Sequence, residues 1–184
     1  FAHIANIGDM ELTESTTLEL IKHLLDDSID VALLALPIQV PQLRTLSLYR
    51  EPFYLGAANG NPFVDQIDLE TMQPPPQCRF LVLSEEHCMG EQTAKLCKMD
   101  RAASNRVFKA SSLETVRHMV STSDDITLIP AMARRDHDGL DYHPLPVRYH
   151  RNMGLVYKAD NPHIDRIHTL HHSIRKLDFV EALS

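Results

Sequence analysis

The sequence predicts an α/β fold in which parallel strands alternate with crossover helices. The run Asp30–Leu36 is continuously apolar and ends at Pro37, which is typical of a parallel strand covered on both faces. Two segments, 17–25 and 164–177, carry apolar side chains at helical spacing and predict amphipathic helices. The β-α-β rhythm of the whole chain indicates parallel sheets with crossover connections.

The other elements follow from local patterns along the chain. Residues 9–14 alternate polar and apolar and predict a short strand, after which Thr16 or Thr17 is the expected N-cap of the first helix. Ser111–Glu114 has the spacing of a capping box and predicts the start of a helix that runs to Val120. Further strands are predicted at 43–49, 53–58, 79–83, 107–110, 126–130 and 153–157, and further helices at 91–99 and from 131.

Charge and hydropathy exclude several functions for this chain on its own. The net charge is −7, and the basic residues gather only at 134–135 and 148–151, so we expect the chain alone to bind DNA poorly. No apolar run approaches the roughly 18–20 residues of a membrane span. The start at Phe1 shows no signal-peptide pattern and no initiator Met, so we expect a fragment of a longer cytoplasmic protein.

The chain has three cysteines, Cys78, Cys88 and Cys97, and such an odd, small number without a secretion signal argues against a structural disulfide framework. Cys78 begins a predicted buried strand, so we expect a structural role for it. Cys88 falls between that strand and a predicted helix. The free N–H groups of the helix start and the titratable neighbour His87 both favour a reactive thiolate at Cys88.

The spacing of Cys88 and Cys97 has a geometric consequence. If residues 89–97 are helical, the two Cα atoms lie roughly 13 Å apart, whereas a disulfide requires them within about 7 Å. A disulfide between these cysteines would therefore require the helix to unwind, which would make the segment a two-state switch with a covalent latch.

Three segments together resemble the effector-binding domain of LysR-type transcription regulators: 111–120, 126–131 and 153–157. Within that family, His87-Cys88 followed by Cys97 resembles the OxyR group of peroxide sensors. The resemblance implies two Rossmann-like α/β subdomains joined by two crossover strands, as in type-II periplasmic binding proteins. The first would comprise 1–49 plus 152–184, and the second, 50–151, would carry the cysteine pair. It also implies an N-terminal helix-turn-helix DNA-binding domain and an opening strand and helix that are absent from this chain.

The resemblance also implies roles for particular residues. Cys88 would be the peroxidatic cysteine, oxidised by hydrogen peroxide to sulfenic acid, and Cys97 the resolving cysteine. Arg151 would stabilise the Cys88 thiolate, and Thr17 would hold peroxide through its hydroxyl. Glu91 stands where the family usually has Asp, and its carboxylate, one methylene longer, would take part in hydrogen bonding or proton handling.

The same resemblance implies a sensor rather than an enzyme, with no cofactor and no metal. Disulfide formation would refold segment 84–108 and change the geometry of a homodimer, which would be a tetramer in the full-length protein. The expected partners are promoter DNA, bound through the missing domain, RNA polymerase, and a glutaredoxin- or thioredoxin-type reductant.

Other interpretations remain open from the residues alone. A LysR-type regulator could instead bind a small metabolite in the cleft between subdomains, with Ser111 and Ser112 at a helix start that suits an anion. Arg151 could form a structural salt bridge at the hinge. A zinc site is a further alternative, although the spacing of its candidate ligands lacks the close cysteine pair of zinc sites. Histidines on the C-terminal helix could also bind a metal, but a solvated helix face explains their spacing more simply. A solute-binding protein or a thiol peroxidase would share the fold. The candidate zinc ligands are Cys78, His87, Cys88 and Cys97, and the helical histidines are His168, His171 and His172.

Overall fold

The structure is a computed structural model that describes residues 10–69, 75–83, 107–110 and 112–181. The chain divides into two compact units. The first comprises the chain up to Glu51 and from Arg151 onward, and the second is Pro52–His150. The family resemblance implies crossings near residues 49–50 and 151–152, and these subdomain bounds stay a prediction.

Helices and strands alternate along the described residues, which confirms the α/β class. In chain order they are α1 (Thr17–Leu25), β1 (Ala32–Leu36), β2 (Leu43–Ala58), a 3₁₀ turn (Val64–Gln66), β3 (Phe80–Leu83), β4 (Val107–Ala110), α2 (Leu113–Ser121), β5 (Ile126–Pro130), a 3₁₀ turn (Ala131–Ala133), β6 (Leu140–Pro144), β7 (His150–Lys158), α3 (Ile164–Arg175) and α4 (Asp178–Glu181). Of the helices in this part of the chain, none has both the length and the apolarity to cross a bilayer.

The first unit is built on β1, β7 and the beginning of β2, with β7 in the middle. The helix α1 packs its buried Leu24 against Ala32 and Leu34 of β1. The helix α3 buries Ile167, Leu170 and Ile174 along one face, as its helical spacing predicts. Apolar side chains of α1 and the sheet thus form one compact core for this unit.

The predicted environment of β1 is wrong in part. Its described pairing, with β7, is antiparallel and runs from Ala32 opposite Val156 to Leu36 opposite Asn152. Leu33 is 40% exposed, so the strand is not covered on both faces. A continuous apolar run indicates burial but not strand direction, because direction depends on a partner strand that lies over a hundred residues later in the chain.

Gly154 of β7 is required by close packing. A Cβ atom at this position would lie 2.7 Å from Cδ1 of Leu36 and 2.8 Å from the carbonyl oxygen of Leu46. The second contact is with backbone, which cannot move aside as a flexible side chain could. The strands β1, β7 and β2 therefore approach one another closely at this point.

The strand predicted at residues 9–14 is not present in the described part of that segment, 10–14. Alternation requires an apolar face that can be buried, and here Leu12 is 75% exposed and Met10 46% exposed. The segment instead leads into α1 without regular structure.

The N-cap of α1 is Thr16, one of the two predicted candidates. Its hydroxyl accepts a hydrogen bond from the Glu19 backbone N–H at 3.3 Å, and the Glu19 side chain accepts from the Thr16 N–H, which completes a capping box. Thr17 is thereby the first residue inside the helix.

The second unit holds a mixed sheet. The later part of β2 lies between β5 and β6 and is antiparallel to both. β5 and β3 are parallel, as are β3 and β4, so the predicted parallel arrangement is confirmed on this side of the sheet. β6 has no counterpart in the sequence-based prediction. The core of the second unit contains the fully buried side chains Phe53, Leu55, Phe80, Leu81, Val116, Val120, Ile126 and Leu128.

The predicted capping box at Ser111–Glu114 is wrong by one residue. Ser112 is the N-cap of α2, and its Oγ accepts from the Thr115 N–H at 3.1 Å. Glu114 instead accepts from Arg135 at 2.8 Å. Two adjacent serines offer alternative caps, and the sequence pattern alone selects the one that has an acidic residue three positions later.

Candidate functional site

Arg151, one of the predicted site residues, lies on β7 at the end of the first unit. Glu51 on β2 and Arg151 on β7 are the terminal residues of the first unit on these strands. Arg151 Nε donates a hydrogen bond to Oε2 of Glu51 at 2.6 Å. The Glu51 side chain is 0% exposed and that of Arg151 is 19% exposed. Arg151, predicted as a site residue, therefore forms a largely buried ion pair.

Tyr49 shares the environment of this pair. Burial raises the pKa of the Tyr49 phenol, the charge of Glu51 raises it further, and Arg151 acts in the opposite direction. The phenol consequently stays protonated across the physiological pH range, so it can donate a hydrogen bond. The place therefore combines one carboxylate, one guanidinium and one neutral hydroxyl on side chains that are buried or largely buried.

A cavity of about 960 Å³ in the first unit is bordered by Arg151 and by the segment 10–15 that leads into α1. Other polar groups on its wall are Asp30, His163 and Arg166. Thr17 is half-buried at the first turn of α1, two residues beyond the segment on the cavity wall, and is not itself among the lining residues. The structure therefore places Arg151 and the approach to α1 around one cavity, and Thr17 just outside its lining.

Ser112 serves the helix that it caps. Its Oγ accepts from the Thr115 backbone and also hydrogen-bonds Thr115 Oγ1 at 2.9 Å. The effector-binding role proposed for it stays a prediction. Ser111 lies outside the described residues.

Cys78 is a buried thiol. Its side chain is fully buried, and its Sγ lies 3.7 Å from the Arg79 carbonyl oxygen. Burial raises the pKa of Cys78 to about 11, and the charges of Asp125 and Asp124 contribute in the same direction. At neutral pH the thiolate, which is the reacting form of a cysteine, is almost absent.

The residues at the centre of the sequence-based hypothesis fall outside the described residues. They are His87, Cys88, Glu91 and Cys97. Segment 84–108, predicted to refold, is described only at residues 107 and 108, which belong to β4. Among the described residues, no group of three His, Cys, Asp or Glu side chains is placed to hold a metal ion.

Sequence reasoning missed two buried polar clusters. Glu51 is followed by Pro52 within a long extended segment, where a charged residue normally indicates a solvent-facing position. Arg117, 5% exposed, donates to Asp138, to the Tyr142 hydroxyl and to the Ala133 carbonyl oxygen. The only signal for Arg117 was its position between the apolar residues Val116 and Val120 on a predicted amphipathic helix.

A family model described as LysR substrate binding domain matches residues 9–178 of the chain. The chain belongs to this family. The match covers both units, so the two-unit α/β architecture predicted from the resemblance is the architecture of a LysR substrate-binding domain.

Individual relatives of this LysR substrate-binding domain are OxyR proteins. The DNA-binding transcriptional dual regulator OxyR of Escherichia coli K12 is 31% identical over 171 residues, which cover 91% of this chain and 56% of the relative. The chain thus spans just over half the length of that relative.

Solved structures give the same assignment. A reduced form of OxyR from Neisseria meningitidis superposes with a TM-score of 0.79 at 25% identity, covering 95% of this chain and 85% of that one. A cysteine-to-serine variant of Corynebacterium glutamicum OxyR, described as H₂O₂-bound, superposes with a TM-score of 0.79 at 26% identity, covering 95% of this chain and 56% of that one.

Proposed function

We propose that this chain is the hydrogen-peroxide-sensing regulatory domain of a LysR-type transcription regulator of the OxyR group. The proposal rests on two features that occur together in this chain. A chain whose relatives include peroxide-inducible activators also has His87-Cys88 and Cys97. The one cysteine that the structure describes, Cys78, is buried, and burial raises its pKa to about 11. That leaves Cys88 and Cys97 as the thiols available for sensing.

The proposed chemistry has two balanced steps. The Cys88 thiolate attacks one oxygen of hydrogen peroxide and the O–O bond breaks. Cys88 becomes a sulfenic acid, and the departing hydroxide takes a proton to become water. The Cys97 thiolate then attacks the Cys88 sulfur, the S–O bond breaks, and a disulfide forms with release of a second water. Two thiols are oxidised and one peroxide is reduced.

Residues around the thiol would prepare the first step. Arg151 would favour the Cys88 thiolate by its positive charge, and Thr17 would hold peroxide through its hydroxyl. His87 and Glu91 would assist proton transfer. The ion pair with Glu51 supports the structural interpretation of Arg151 as well, and the two roles are compatible.

The signal would be the refolding of segment 84–108 around the new disulfide. The change would alter a homodimer, within a tetramer in the full-length protein. It would thereby reposition DNA-binding domains on promoter DNA and affect contact with RNA polymerase. A glutaredoxin- or thioredoxin-type protein would reset the pair in the cytoplasm. The domain would act as a sensor and not as an enzyme that turns over peroxide.

The C97S variant gives a direct experiment. With the resolving thiol removed, one equivalent of peroxide should leave a sulfenic acid on Cys88, trapped by a dimedone adduct on the peptide that contains residue 88. The matched control is C78S, which should still form the disulfide and give no adduct. If the adduct in C97S appears on Cys78, or if no adduct forms, Cys88 is not the peroxidatic residue.

A further inference from the structure

We draw no further inference here: the strongest candidate, the cavity of about 960 Å³ in the first unit, includes Arg151 of the site already described, and nothing in the described residues shows what covers the exposed apolar side chains Leu12 and Leu33 on its wall.

Discussion

Arg151 Nε and Glu51 Oε2 lie 2.6 Å apart, and the carboxylate is completely shielded from solvent. The two residues lie on β7 and β2, exactly one hundred positions apart in the sequence, so only the tertiary fold brings them together. In this ion pair the guanidinium supplies the positive charge that offsets the cost of burying the Glu51 carboxylate. We therefore expect the first unit to be destabilised when one partner is replaced, and much less so when both are replaced.

R151M should destabilise the chain by about 3–5 kcal/mol, because it leaves a buried carboxylate without its cation. The double variant E51L/R151M should recover most of that loss, since two apolar side chains can occupy a buried site without desolvation cost. Urea unfolding measures both. An R151M variant as stable as the wild type, or a double variant less stable than R151M, would contradict this assignment of the pair.

We expect the second unit to become less stable as the pH falls, because of Asp125. Burial alone would raise its pKa, but hydrogen bonds from the Arg79 side chain and backbone and from Ser123 outweigh burial, so the pKa is lowered. A carboxyl group whose pKa is lower in the folded state stabilises that state above its unfolded pKa, and this contribution is lost as pH falls through the folded pKa.

D125N should therefore cost about 1–3 kcal/mol at pH 7, and the difference from wild type should shrink as pH falls below about 4. The neighbouring Asp124 is exposed, so D124N is a matched control and should change stability little at either pH. Urea unfolding at pH 7 and at pH 3 measures the dependence. A D125N penalty that is the same at both pH values would show that the carboxylate charge is not its source.

Cys78 should resist alkylation in the folded protein. With a pKa of about 11 and a fully buried side chain, it should remain unmodified by iodoacetamide at pH 8 while an accessible thiol reacts. In urea the same cysteine should be alkylated, which provides the control for reagent and detection. Peptide mass mapping gives the answer for each cysteine separately. Modification of Cys78 at native pH 8 would mean that its strand region opens readily.

The sequence predicted the fold class because apolar periodicity is local information. Helices α1, α2 and α3 and most strands coincide with their patterns. Strand direction was not local, so β1 was assigned parallel although its described partner is antiparallel. A strand was also predicted at residues 9–14. In the described part, 10–14, the apolar side chains Met10 and Leu12 stay exposed and no strand forms.

Site residues could be predicted from the sequence only where the family resemblance identified them. Arg151 and Thr17 came from the family resemblance, and Arg151 now has a defined partner. Glu51 could not be found in this way, because its burial arises from the packing of β2 against distant parts of the chain. Ser111 and Ser112 could each cap the helix that follows. The backbone geometry decides which of them does so, and a sequence pattern does not encode that geometry.

The central claim is that peroxide links Cys88 to Cys97. Its most direct test is mass spectrometry of the full-length protein after sub-stoichiometric hydrogen peroxide, with non-reducing digestion. We predict a loss of two hydrogen atoms per oxidised chain, a cross-linked peptide pair containing residues 88 and 97, and an unmodified Cys78. Oxidised chains in which Cys88 is still a free thiol, or a cross-link that joins Cys88 to Cys78, would contradict it.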